Sequence, residues 1–304
     1  MNWILLAIIG HAANGVAFVI DKSLLSTAFK RSATYAGLVG ILSFIVIAAA
    51  PWVKVWPHGN PLTISLISGA LFVVALWAFY EALARAEASR IVPIVGSLIP
   101  ILTLLGTSIF LGEHLRASQL IGFALLVAAT AILSSSGGGS RPSRASIGLA
   151  VVSAILFAVS SVTAKYSYDT AGFLPAFVAS RLSAAVVSVF IVVAIDRVAG
   201  RELWSMLKPK QGRNKKAMKS AGVLAVVGQS LGAGGFLCVQ LAASGGSAAI
   251  VNALQAVQYA LLVIAALFLK HRAPKLLGEN LEGRVLFTKI TALIVAAIGL
   301  AFVI

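Results

Sequence analysis

From Ile121 to Leu133 the chain reads IGFALLVAATAIL, thirteen residues without a charge and apolar around the whole circumference of a helix. Runs of this kind recur along all 304 residues and dictate the solvent. With 60% hydrophobic and 11% charged residues, and a mean hydropathy of +0.99, the chain has too little polar surface to cover a water-soluble globule. A helix crossing the hydrocarbon needs roughly 20 apolar residues. Ten such runs stand near 2 to 20, 33 to 53, 62 to 84, 90 to 111, 118 to 135, 147 to 167, 174 to 195, 219 to 242, 247 to 270 and 286 to 304. A membrane barrel would instead show strands of roughly ten residues alternating apolar and polar. Backbone groups in lipid must be satisfied within their own segment, so the expected fold class is an all-α membrane protein of ten transmembrane helices.

The segment LARAEASRIVPIVGSLIPILTLLGTSIFL, beginning at Leu83, is echoed 158 residues later by LAASGGSAAIVNALQAVQYALLVIAALFL. Leu83, Ala84, Ser89, Leu104, Phe110 and Leu111 recur without a gap as Leu241, Ala242, Ser247, Leu262, Phe268 and Leu269. The copy lies five spans further on, and an odd number of crossings inverts it. Inverted repeats of this kind mark alternating-access transporters with a midplane substrate site. The chain therefore divides into a first five-helix repeat at 1–133, a Gly/Ser linker at 134–146 (SSSGGGSRPSRAS), and a second, inverted repeat at 147–304. A polar insertion near 271–284 has no counterpart in the first half.

Twenty of the 24 basic residues fall in the loops after odd-numbered spans, and three (Lys54, Arg116, Lys165) in the alternate loops. The positive-inside rule places the twenty in the cytoplasm and both termini outside. The run RELWSMLKPKQGRNKKAMK, beginning at Arg201, would face anionic headgroups of membrane lipid. The net charge of +15 thus encodes orientation, and no nucleic-acid motif accompanies it. The first segment lacks a basic leader and continues to spanning length, so it reads as a span and not a signal peptide.

Catalytic and nucleotide-binding constellations are not legible: there is no H-E-x-x-H and no phosphate-cradling G-x-x-x-x-G-K-[ST]. Cys238 is the only cysteine, which excludes an intramolecular disulfide and a thiolate metal cluster. No enzyme activity, metal or cofactor is expected. What remains is the set of polar side chains at membrane depth, which are costly in hydrocarbon and usually face a cavity or a neighbouring helix.

Asn252, Gln255 and Tyr259 are spaced three and four apart on one helical face, with Gln258 about a third of a turn away. Amides and a phenol offer donors and acceptors without fixed charge, which suits a small polar or zwitterionic solute. Interhelical hydrogen bonding is the competing reading. In the first half, Ser97 matches Gln255 and Pro100 matches Gln258; a mid-span proline removes a helical hydrogen bond and predicts a kink. His11 and Asn14 lie near the middle of the first segment, where an imidazole could bind a carboxylate, carry a coupled proton, or rest neutral and hydrogen-bonded to a neighbouring helix. Trp77 could line a cavity wall, while Glu81 is placed to pair with Arg85 one turn on. Gly232 and Gly235 fit a bend, a gate or close packing. Arg181, about two turns into the seventh segment, reads as a side chain that snorkels to the interface.

The stretch YEALARAEASRIVPIVGSLIPILTLLGTSIFLGEHLRASQLIGFALLVAATAIL, from Tyr80 to Leu133, resembles the C-terminal part of an EamA repeat of the drug/metabolite transporter superfamily. Its most distinctive portion is Glu87 to Pro100 followed by FLGE, and in the second half FLGE becomes Phe268, Leu269, Lys270, His271. The resemblance implies two inverted five-helix halves around a central cavity, and export or exchange of small metabolites, in the cytoplasmic membrane of a bacterium or archaeon. The expected function is secondary transport of a small polar metabolite by alternating access. The expected substrate-binding residues are His11, Asn14, Trp77, Ser97, Asn252, Gln255 and Tyr259, with Pro100, Gly232 and Gly235 as gating or kink positions. A lipid flippase opening sideways between helices is the alternative.

Overall fold

The computed structural model describes residues 2–28, 32–86, 88–135, 142–207, 215–269 and 283–304, and among these there is no strand. Helices α1 (Trp3–Ala28), α2 (Ser32–Leu42), α3 (Asn60–Arg85), α4 (Ala88–Leu111) and α5 (Ala117–Ser135) form the first half, with a 3₁₀ stretch Ser43–Trp52 after α2. The second half contains α6 (Arg144–Ala171), α7 (Phe173–Phe190), α8 (Arg197–Leu207), α9 (Lys215–Gly245), α10 (Ala248–Ala253), α11 (Gln255–Leu269) and α12 (Gly283–Val303). Among the described residues each apolar run is largely helical, the second passing into the 3₁₀ stretch and the ninth divided between α10 and α11. Six of these helices are long and apolar enough to cross a membrane, and four shorter apolar helices accompany them. Much of the 271–284 insertion and the middle of the 134–146 linker lie outside the described residues.

The ends of the helices follow local chemistry. Ser143 and Ser247 cap α6 and α10, their hydroxyls accepting from the Ser146 and Ile250 amides at 3.1 and 3.2 Å. Gly172, at φ +81°, lets the chain turn sharply from α6 into α7. Asp196 accepts from the Ala199 amide at 3.0 Å and opens α8, a short amphipathic helix where the sequence suggested only loop. Its Trp204, Val198, Arg197 and Arg201 are exposed on one arc, while Ala199 and Leu203 pack inward and Glu202 accepts a hydrogen bond from Thr34 at 2.6 Å. Lys289, assigned to a loop by its charge, lies in α12 and is buried.

The chain folds as two compact units that cut across the repeat boundary. One comprises Met1–Ala28, Leu115–Gly139 and Pro209–Ile304; the other comprises Phe29–His114 and Ser140–Lys208. In the first, α1 packs chiefly along α9 and also on α11, and α5 packs against α12. In the second, α6 packs on α3 and α4, and α7 packs on α3 and α2.

Small residues let these helices approach at backbone distance, which is how helices gain contact where lipid supplies no hydrophobic drive. At the α1–α9 crossing a Cβ on Gly10 would lie 2.8 Å from the Gly235 carbonyl oxygen, and one on Gly235 would lie 2.7 Å from the Gly10 carbonyl oxygen and 2.5 Å from Asn14 Oδ1. Gly235 therefore serves close packing within an unbroken α9, and Gly232 makes only ordinary contact with Ala17. Serines knit the second unit. Ser68 and Ser160 each donate to the other's carbonyl, at 2.9 and 2.8 Å, and Ser153 donates to Ala75 O at 2.9 Å. Each such bond contributes about 0.6 to 2 kcal/mol in a membrane bundle.

Candidate functional site

The polar residues singled out by sequence divide between the units. His11, Asn14, Asn252, Gln255 and Tyr259 belong to the first; Trp77, Ser97 and Pro100 belong to the second.

In the first unit the governing feature is a break in the ninth apolar segment. The helix stops at Leu254 and restarts at Gln255, with the Leu254 amide bonded to Ile250 O and the Val257 amide to Leu254 O, both at 2.9 Å. Neither proline nor glycine marks the position. His11 on α1 reaches it: Nε2 lies 2.8 Å from the Val251 carbonyl oxygen, 240 residues away in sequence. A carbonyl only accepts, so Nε2 carries the proton and donates. A side chain inserted into the helical ladder is an established cause of a helix break. His11 is 5% exposed, and Gln258 is its side-chain neighbour on α11. Gln258 also faces Gly15 on α1. Gln258, which the sequence places about a third of a turn off the stripe, thus lies against α1.

Gln255 and Tyr259 remain on one face of α11, with Gln255 Nε2 donating to the Tyr259 hydroxyl at 3.0 Å, while Asn252 sits on α10, half-buried. Tyr259 packs its ring beside Leu133, Val263 and Ala292.

In the second unit, Trp77 packs between two small clusters, one holding Ala33, Val192 and Ala199 and the other Val73, Ala184 and Ile191. Ser97 Oγ on α4 is buried and has no hydrogen-bond partner among the described residues. Helix α4 runs continuously through the buried Pro100, so the interrupted helix is the ninth segment and not the fourth.

Sequence reasoning underrated Arg181. Its side chain does not snorkel: it is 7% exposed, with the guanidinium 4.4 Å from the centroid of Phe72, which stands at the middle of α3. Phe177 lies beneath it at 5.9 Å, the Ser180 hydroxyl is 3.3 Å from Nη2, and Tyr168 is within electrostatic reach. An arginine at the centre of a span costs about 2.5 to 3.5 kcal/mol. Desolvated cation–π contact returns about 2 kcal/mol, so the rings make the charge tolerable without making it cheap. The F-x-x-x-F-x-x-x-R spacing from Phe173 through Phe177 to Arg181 was the available signal.

At the membrane edge, Arg85 Nη2 and Glu81 Oε1 pair at 2.7 Å as expected. Both side chains are substantially exposed, at 51% and 32%, so Glu81→Gln should change thermal stability in detergent by no more than about 0.5 kcal/mol. A larger loss would assign the pair a structural role.

No group of three or more His, Cys, Asp or Glu that would hold a metal ion occurs among the described residues. Long apolar helices with exposed Ile109, Phe110, Val186 and Phe190 define an integral multi-pass membrane protein. Residues 1–135 match the EamA-like transporter family, in agreement with the drug/metabolite transporter resemblance carried by Tyr80 to Leu133. That family is one of membrane transporters. One solved crystal structure shares the fold with a TM-score of 0.61 at 17% identity, covering 97% of each chain. No curated protein matches.

Proposed function

We propose that the protein is a secondary transporter that exports or exchanges a small polar metabolite by alternating access between two inverted five-helix repeats. The observation that carries this reading is the pattern of helix pairing. Exchanging each apolar segment with the one five further on turns the α3–α6 contact into α9–α1, and α4–α6 into α11–α1. The α2–α7 and α5–α12 pairs map onto themselves, yet one sides with α3, α4 and α6 and the other with α1, α9 and α11. Exchanging the halves would swap those allegiances. Two arrangements of equal internal logic are what alternating access asks of an inverted repeat.

In this reading His11, Asn14, Asn252, Gln255 and Tyr259 of the first unit are substrate-binding residues, the last three on the interrupted helix, and Trp77 and Ser97 are proposed as binding residues of the second. Interrupted helices present backbone groups to solutes that a continuous helix keeps to itself. Proton coupling through His11 and an outside location for both termini, inferred from the charged loops, belong to the same proposal.

The test is release of solutes from phosphatidylcholine proteoliposomes loaded with a ¹³C-labelled cytosolic extract, followed by mass spectrometry. At least one compound should leave faster than from protein-free vesicles. Asn252→Ala and Gln255→Ala should slow it by about tenfold or more while the protein still inserts and elutes as a single species, because each removes a hydrogen bond at a dry site. Release equal to that of empty vesicles would end the transporter reading; undiminished release by both variants would remove these residues from the site.

A further inference from the structure

Arg181 holds a positive charge in the middle of the second unit, and packing does not explain the choice. A leucine or methionine would fill the space between Phe72 and Phe177 without desolvating a cation. What guanidinium adds is a flat fork of N–H donors matched to carboxylate and phosphate oxygens. Its setting is consistent with that use. Two hydroxyl residues, Ser180 and Tyr168, border it beside the rings. An aromatic ladder leads to it from the end of the span. Tyr168 and Phe173 have ring centroids 5.2 Å apart, Phe173 stacks on Phe177 at 5.1 Å, and Phe173, Phe177 and Arg181 follow one another at four-residue spacing along one face of α7. Beyond Arg181, Phe72 meets Phe157 edge-on at 5.8 Å.

We propose that Arg181 is the anion-binding residue of this protein, and that the carried solute presents a carboxylate or phosphate to its guanidinium. This rests on the transporter reading and narrows its substrate class from polar to anionic. Charged side chains inside membrane spans mark substrate paths by default, and a positive centre there selects the sign of what passes.

The extract-loaded phosphatidylcholine vesicles give the test when the released compounds are sorted by charge. The expected result is that those released carry a carboxylate or phosphate. For such a compound, Arg181→Gln should lower flux about tenfold to a hundredfold, the loss of a charge-assisted hydrogen bond, with Arg181→Lys retaining more because the charge stays. Release of neutral or cationic compounds alone would overturn the proposal and leave the transporter reading standing; release of nothing would end the transporter reading itself. Anion flux unchanged in a folded Arg181→Gln protein would also overturn it. If that variant does not fold, the charge class released by the native protein and the response of Arg181→Lys decide. A parallel set of vesicles with a trace of fluorescent phosphatidylglycerol separates a lipid source of the anion: headgroup flipping that depends on Arg181, without solute release, would overturn the assignment to a solute.

Discussion

Gly69→Ala is expected to cost about 3 kcal/mol of stability, the upper end for overpacking a close contact. Gly69 lies on α3 where it crosses α7, and a Cβ there would fall on the backbone carbonyl of Ser180 and within 3.0 Å of the Ala184 amide nitrogen. Neither neighbour is a flexible side-chain tip, so the two helices have to part. Parting them strains the Ser183 hydroxyl bond to Leu66 O at 2.7 Å, and disturbs the bed on which Arg181 lies against Phe72 one turn along. The control is Gly148→Ala on α6, where an added Cβ meets nothing within 4 Å. There the substitution should be neutral or gain up to about 1 kcal/mol from helix propensity. Thermal unfolding of both purified variants in the same detergent measures the contrast. Equal midpoints would mean that α3 and α7 do not cross at Gly69.

The apolar spans were legible because bilayer thickness fixes helix length, and a run long enough to cross has few other structures open to it. The Glu81–Arg85 pair was legible for a similar reason: four-residue spacing is local geometry. Features made by contacts between distant segments were not. Nothing near Leu254 in ALQAVQ announces an interruption, since the cause sits on α1 at His11. Arg181 was misjudged because sequence gives its distance from the end of its own helix and not the ring on α3 that holds it at mid-span. Gly235 was ambiguous between bend and packing until the Gly10 backbone lay against it. The two spatial units were hidden for the same reason, as each takes helices from both halves. The loop count set Lys289 among the loop charges although the tenth apolar run already begins at 286, and α12 carries that residue inside the helix and buried.

His11→Phe should destabilise the first unit by about 1 to 3 kcal/mol, and the reason lies in the acceptor left behind. Phenylalanine fills much the same volume and is at home in an apolar surrounding, so the change leaves little cavity. It leaves the buried Val251 carbonyl without the 2.8 Å donor that reaches it across the helix break. No water enters hydrocarbon at low cost, so the carbonyl has to recover a partner from its own chain. The nearest remedy is to close the break and rebuild a continuous ninth helix. Two measurements distinguish simple loss from this rearrangement. Thermal unfolding in detergent reports the stability, and His11→Gln, which keeps a donor at similar reach, should recover part of it. Hydrogen exchange of the amides from 254 to 257 reports the break, and slower exchange in His11→Phe than in the native protein would show the ladder re-forming. A His11→Phe protein as stable as the native one, with unchanged exchange at those amides, would mean that the imidazole does not hold the helix open, and the discontinuity would need a cause within α10 and α11 themselves.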